Sequence, residues 1–229
     1  MSPKSVMVFC AGYGTRMGAL VSDRPKPLIE VSGRSLLDWT LDLIDGAGIA
    51  EVVVNTHYMG WMIKEHLAQR PIKISHEAEE ILDTGGGLKA ALPLLGQGPV
   101  FTANADTILF GPNPFLALAE TWEPELMGAL LLLVPRDRAL GRVGGGDFAI
   151  AKDGRLTRGG DLVYTGIQIL ETEPVTRVEK SVFSLNLIWD VLEEKGRLFG
   201  VLWNGDWVDV GHPEGIRIAE ELIESRSVD

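Results

Sequence analysis

The stretch Ala11–Leu28, A-G-Y-G-T-R-M-G-A-L-V-S-D-R-P-K-P-L, decides how the rest of the chain is read. Gly12 and Gly14 let the backbone take positive φ and present N–H groups to an anion without an obstructing Cβ. Arg16 and Lys26 place two cations beside that turn. The apolar run V-M-V-F-C stands directly before it, so the turn belongs at the carboxyl end of a first β-strand, where open α/β sheets bind ligands. Together these features predict a nucleotide phosphate site.

Working outward, residues 1–34 hold five basic side chains (Lys4, Arg16, Arg24, Lys26, Arg34) against two acidic ones (Asp23, Glu30), although the 229-residue chain carries a net charge of −11. An acidic protein with its cations gathered at a glycine turn suits a small polyphosphate with a divalent metal. It does not suit nucleic acid, which needs a basic face to displace counterions. At 45% apolar residues the chain can fill one α/β domain with a subdomain. The longest apolar run, Ala129 to Val134, fits a buried strand and is too short for a membrane span. No secretory signal follows Met1, and the single cysteine, Cys10, excludes an internal disulfide; a cytoplasmic protein is expected. Cys10 itself reads as a small residue ending a buried strand.

Strand-like and helix-like runs alternate as far as Val134. V-M-V-F-C, E-V-V-V-N, I-K-I-S, P-V-F-T-A-N-A-D and Ala129–Val134 read as strands, the fourth ending in Asp106. Leu36–Ile44, Met59–Leu67, Leu88–Leu95 and Phe115–Trp122 read as helices. The alternation predicts a Rossmann-like, mostly parallel sheet flanked by helices. From 135 to 161 glycines and mixed charges take over, and the Asp153-Gly154 pair predicts a tight hairpin: a small inserted β subdomain. Leu162–Leu170, Leu198–Trp203 and Asp206–Val210 then read as strands, Ser181–Lys195 and Pro213–Ser225 as helices.

Two common phosphate motifs fail. No G-x-x-x-x-G-K-[ST] string exists, and in G-x-G-x-x-G the third glycine is replaced by Met17. The second strand ends in Asn55 and Thr56 rather than in a ribose-binding acid. Hydride transfer is therefore a poor reading.

With A-G-Y-G-T-R-M and R-P-K-P-L both present, in order and at the right spacing, the chain resembles the sugar-1-phosphate nucleotidyltransferases, of MobA-like NTP transferase fold. The resemblance implies one nucleotidyltransferase domain over 1–229, with 135–161 an inserted lid or hairpin on the sugar side. It implies nucleotide binding by Ala11, Gly12, Gly14, Thr15 and Arg16, with Arg16 holding the departing pyrophosphate and Lys26 the reacting phosphates as the catalytic cations. Asp106, in N-A-D where the family has N-G-D, and Asp209, in W-V-D-V-G-H-P, would be the Mg2+ ligands. Gly85 and Gly86 of L-D-T-G-G-G would turn main-chain groups to the base, and the acids of Glu77–Asp83 would face the base rather than phosphate. Gly146, Thr165 and Gly166 are the sugar-phosphate candidates, although R-G-G-D stands where the family often has E-K-P. His212 replaces the family's threonine. His57 and His66 read as packing or surface residues, and Arg24 as a solvated loop cation.

The implied reaction joins a nucleoside triphosphate and a sugar 1-phosphate into a nucleoside-diphosphate-sugar and pyrophosphate. A short chain with the L-D-T-G-G-G loop and W-V-D-V-G looks most like the bacterial N-acetylmuramate-1-phosphate uridylyltransferases of cell-wall recycling. Mannose-1-phosphate guanylyltransferases, or a catalytically silent nucleotide-sensing subunit, are the alternatives. Neither nucleic acid nor membrane is an expected partner, and the sequence leaves the oligomeric state open.

Overall fold

The strand Ser5–Phe9 (β1) is buried on both faces, as a central strand of a sheet covered on each side must be. The computed structural model, which describes residues 2–226, shows it in that position. Beyond the glycine turn, Glu30–Val31 (β2) and Arg34–Ser35 (β3) form a short hairpin. Helix Leu36–Gly46 (α1) starts where the Ser35 hydroxyl accepts the Asp38 N–H at 3.0 Å. Next come Glu51–Thr56 (β4), Gly60–His66 (α2), Lys73–His76 (β5), Asp83–Leu95 (α3) and Val100–Asn104 (β6). The chain bends at Ala105–Asp106 and enters a further strand, Thr107–Phe110 (β7), so Asp106 lies in a turn and not at a strand end.

Pro114–Thr121 (α4) and Ala129–Pro135 (β8) precede three short strands, Ala139–Leu140 (β9), Phe148–Ile150 (β10) and Leu156–Arg158 (β11). Leu162–Leu170 (β12), Glu173–Thr176 (α5), Asn186–Glu194 (α6), Leu198–Leu202 (β13), Asp206–Asp209 (β14) and Pro213–Arg226 (α7) complete the described elements.

The main sheet runs β5-β4-β1-β6-β12-β8-β13. Only β12 is reversed along this path; the others share one direction, which is the mostly parallel α/β sheet that the alternation predicts. Leu37, Leu41 and Ile44 of α1, Ile63 of α2 and Phe115 of α4 pack on one face. Leu88 and Ala91 of α3 with Ile188 and Leu192 of α6 pack on the other. The β10–β11 hairpin, turning at Gly154 with φ 85°, joins β12 through the Phe148–Leu162 pair. Its tip reaches β13, where the Gly200 N–H donates to the Gly154 carbonyl at 3.0 Å. A second sheet, β7-β14-β9, lies under α7 with its own small core of Met17, Val21, Ile108, Val208, Val210 and Ala219.

Two helix starts depart most from expectation: α3 begins at Asp83 rather than Leu88, and α6 at Asn186 rather than Ser181. Ser181–Leu185 is not helical, because the Phe183 carbonyl accepts the N–H groups of Gly85 at 2.9 Å and Gly86 at 3.0 Å and so cannot join a helix of its own. The docking is tight: a Cβ on Gly86 would stand 2.0 Å from the Ser181 carbonyl oxygen. Gly86→Ala should therefore destabilise by about 3 kcal/mol, lowering Tm by roughly 6–12 °C at this chain length. Calorimetry checks this, and an unchanged Tm would refute the packing argument.

Candidate active site

The glycine turn is braced from below before it meets any ligand. The Cys10 N–H donates to Asn55 Oδ1 at 2.7 Å, Asn55 Nδ2 donates to Glu77 Oε1 at 2.6 Å, and Glu77 Oε2 accepts the Leu82 N–H at 2.8 Å. Glu77 is only 3% exposed. A buried carboxylate is tolerated when donors occupy its oxygens, so Glu77 is a brace, separated in role from the acids with which the sequence groups it. Gly87 makes room for it, since a Cβ there would lie 2.8 Å from Glu77 Oε1. The sequence expects Glu77 to face the base with the other acids of its loop; its carboxylate instead turns inward to Asn55 and the Leu82 N–H, partners that spacing does not show.

Above the brace, Gly14 takes φ 64°, and a Cβ on it would stand 2.8 Å from Lys26 Cβ. Gly12 has nothing within 4 Å of its missing Cβ and borders open space. A cleft of about 320 Å³ opens here, lined by Ala11, Gly12, Gly14, Thr15, Arg16, Lys26, Asn104 and Asp106. Lys26 is 8% exposed, and its Nζ donates to the Asp106 carboxylate at 2.6 Å. Arg16 and Asp209 converge on Gly211, whose missing Cβ would lie 3.3 Å from Arg16 Nη2 and 2.6 Å from Asp209 Oδ1. The Val210 N–H donates to the Asp106 carbonyl at 3.0 Å, tying the two aspartate segments together. Arg16, Lys26 and Asp106 thus line one cleft, and Asp209 stands at its border behind Gly211, the four groups coming from three separate parts of the chain.

The other candidates divide. Gly85 and Gly86 spend their N–H groups on Phe183 and do not line the cleft; Ile81, Asp83 and Thr84 form that wall instead. Thr165 is fully buried, its hydroxyl donating to the Leu132 carbonyl at 3.0 Å and its own carbonyl accepting Trp207 Nε1 at 2.8 Å, so its side chain faces no ligand. Gly146 is packed against Gly160 and Asp161, with 2.4 Å from its missing Cβ to the Gly160 oxygen. Gly166, at φ 89°, sits against the Asn104 side chain and so reaches the cleft only through that residue. At these positions small residues serve close approach of chain to chain.

His57 gives Nδ1–H to the Glu77 carbonyl at 2.7 Å, which leaves Nε2 to accept from the Tyr13 hydroxyl at 3.2 Å. His212 Nε2 donates to the Gly141 carbonyl at 2.8 Å and fastens the Asp209 loop to the segment before β10. Neither is placed as a general base. The Cys10 thiol is pushed far above its usual range, first by burial and then by the charge of Asp106, and is no nucleophile. Arg24 pairs with its neighbour Asp23 in solvent.

The donor set fits a hard cation. Among the described residues no three His, Cys, Asp or Glu side chains converge, but the segments that carry Asp106 and Asp209 are joined by the Val210–Asp106 backbone hydrogen bond. Magnesium characteristically takes one or two carboxylates and fills its remaining positions with phosphate and water oxygens.

Residues 6–146, more than half of the chain, match the model of the MobA-like NTP transferase domain. The chain belongs to this family. Among MobA-like NTP transferases it is 40% identical to the N-acetylmuramate alpha-1-phosphate uridylyltransferase of Caulobacter vibrioides, across 97% of this chain and 98% of that one. To the protein of the same description from Neisseria meningitidis it is 31% identical, across 94% and 96%. In structure it superposes on HddC from Yersinia pseudotuberculosis complexed with GMP-PN, with a TM-score of 0.78 over 96% of this chain and 99% of the other. At 20% identity that last likeness shows the MobA-like NTP transferase fold alone.

Proposed function

We propose that the protein transfers a uridylyl group from UTP to N-acetylmuramate 1-phosphate, releasing pyrophosphate. The gathering of Arg16, Lys26 and Asp106 on the cleft at the glycine turn, with Asp209 and Arg16 both beside Gly211, supports the reading as far as nucleotidyl transfer. The 40% identity to an N-acetylmuramate alpha-1-phosphate uridylyltransferase supports the choice of base and sugar.

An oxygen of the sugar phosphate attacks the α-phosphorus of the triphosphate in line, the new P–O bond forms, and the bond from the α-phosphorus to the bridging oxygen breaks with its electrons leaving on pyrophosphate. The attacking oxygen is already anionic, so no protein base is required, in keeping with the occupied histidines. The backbone of Ala11–Thr15 cradles the triphosphate. Lys26 meets the charge on the α-phosphoryl group, and Arg16, on the far side of the turn, meets the leaving group. Asp106 and Asp209 would hold Mg2+, which when bound offsets phosphate charge.

No helix among the described residues is long and apolar enough to cross a membrane, and we place the reaction in the cytoplasm, in recycling of cell-wall muramic acid. A grid of nucleoside triphosphates against N-acetylmuramate-, N-acetylglucosamine-, mannose- and glucose-1-phosphate, scored by pyrophosphate, tests all of this at once. UTP with N-acetylmuramate 1-phosphate should give the highest kcat/KM. Faster turnover of GTP with mannose 1-phosphate would replace both substrates, and bound nucleotide with no pyrophosphate from any pair would make the protein a sensing subunit.

A further inference from the structure

The Thr107 hydroxyl is buried with no hydrogen-bond partner, in a residue only 4% exposed. A hydroxyl held this way destabilises the fold, and valine would fill the same volume without that cost. Its place in the small sheet supplies a reason for it. Asp209 of β14 stands opposite Thr107 of β7 in the antiparallel register. Because the Val210 N–H donates to the Asp106 carbonyl, 106 and 210 form a hydrogen-bonded pair. The adjoining 107–209 pair is then of the narrow, non-hydrogen-bonded kind, with side chains on one face and β-carbons about 5 Å apart. The next pair on that face, Leu109 with Trp207, belongs to the main core, whereas Ile108 and Val208 face the small core under α7. Asp209 Oδ1 accepts the Gly211 N–H at 2.8 Å, and among the described residues Oδ2 has no hydrogen bond.

We propose that Thr107 is a positioning residue for the metal-binding carboxylate: its hydroxyl donates to Asp209 Oδ2 and sets the carboxylate's orientation when a divalent cation is held between Asp106 and Asp209. The inference rests on the nucleotidyl-transfer reading above. It explains an unpaired hydroxyl beside a half-engaged carboxylate, where a strand-filling role alone would be served equally well by valine.

Thr107→Val and Thr107→Ser decide it, read by Tm, by electron paramagnetic resonance titration of Mn2+ into the protein–nucleotide complex, and by pyrophosphate release. Thr107→Val should melt no lower than the parent, since its hydroxyl has no partner to lose, yet bind Mn2+ about 10- to 100-fold more weakly. Its activation constant for Mg2+ should rise in parallel, with KM for sugar phosphate unchanged at saturating metal. Thr107→Ser should restore both. Parent-like Mn2+ binding by Thr107→Val, or equal loss in Thr107→Ser, overturns the proposal, as does a parent protein that binds no Mn2+ with nucleotide. A parent that binds Mn2+ but releases no pyrophosphate from any substrate pair removes the transfer reading instead, while the titration still judges Thr107.

Discussion

Asp106→Asn should fold and melt within a few degrees of the parent, yet release pyrophosphate about 10³-fold more slowly, the order of loss seen when a group stabilising transition-state charge is removed. The asparagine oxygen can still accept from Lys26 Nζ, so the nearly buried lysine keeps a partner, and the Asp106 side chain is already 30% exposed. What is lost is the negative charge proposed to hold the cation. Activity and Mn2+ binding should fall together. A variant with parent-like turnover would remove Asp106 from the reaction.

Lys26→Met should separate stability from chemistry in the opposite sense. The lysine stem is enclosed, with Gly14 so close that a Cβ there would be 2.8 Å from Lys26 Cβ, and methionine fills the same space without a charge to desolvate. Asp106 retains solvent, so Tm should hold or rise. Turnover should fall by about 10³-fold, with kcat rather than KM carrying the loss, because in the proposed reaction the ammonium meets charge that develops on the α-phosphoryl group. Lys26→Arg should not rescue it, since a planar guanidinium does not fit a channel shaped around a straight chain. An active Lys26→Met protein, or full rescue by arginine, would contradict the role given to this side chain.

The parts of the site that could be read from sequence share a physical property. A turn of consecutive residues shows itself as a string, so Ala11–Arg16, the proposed phosphate cradle, is legible as one, and the α/β alternation places it after a strand end, where it lines the cleft. The same alternation showed the parallel character of the sheet, while β12, beyond the alternating stretch, runs against its neighbours. Glycines elsewhere were ambiguous for a reason that spacing cannot resolve. A missing Cβ admits a ligand or another stretch of chain, and only the fold shows that Phe183 takes the amides of Gly85 and Gly86, or that Gly160 crowds Gly146. Thr165 shows the same limit, because its hydroxyl is consumed by Leu132 on the adjacent strand. Glu77 was read with the acids that face the base, and Thr107 went unseen, because the meaning of each lies in what surrounds it in the fold: one acid has both oxygens bonded, and one buried hydroxyl has no partner.

The placing of β14 between β7 and β9 also sets an order of events during synthesis. Both flanking strands leave the ribosome long before the strand that joins them, and until it arrives each exposes an edge with unpaired backbone groups. The glycine turn, Lys26 and Asp106 exist by then, but the second carboxylate does not. A nascent or truncated chain lacking β14 should therefore be both inert and prone to associate through those edges, so the last described strand to emerge brings in the second proposed metal ligand and covers both edges together.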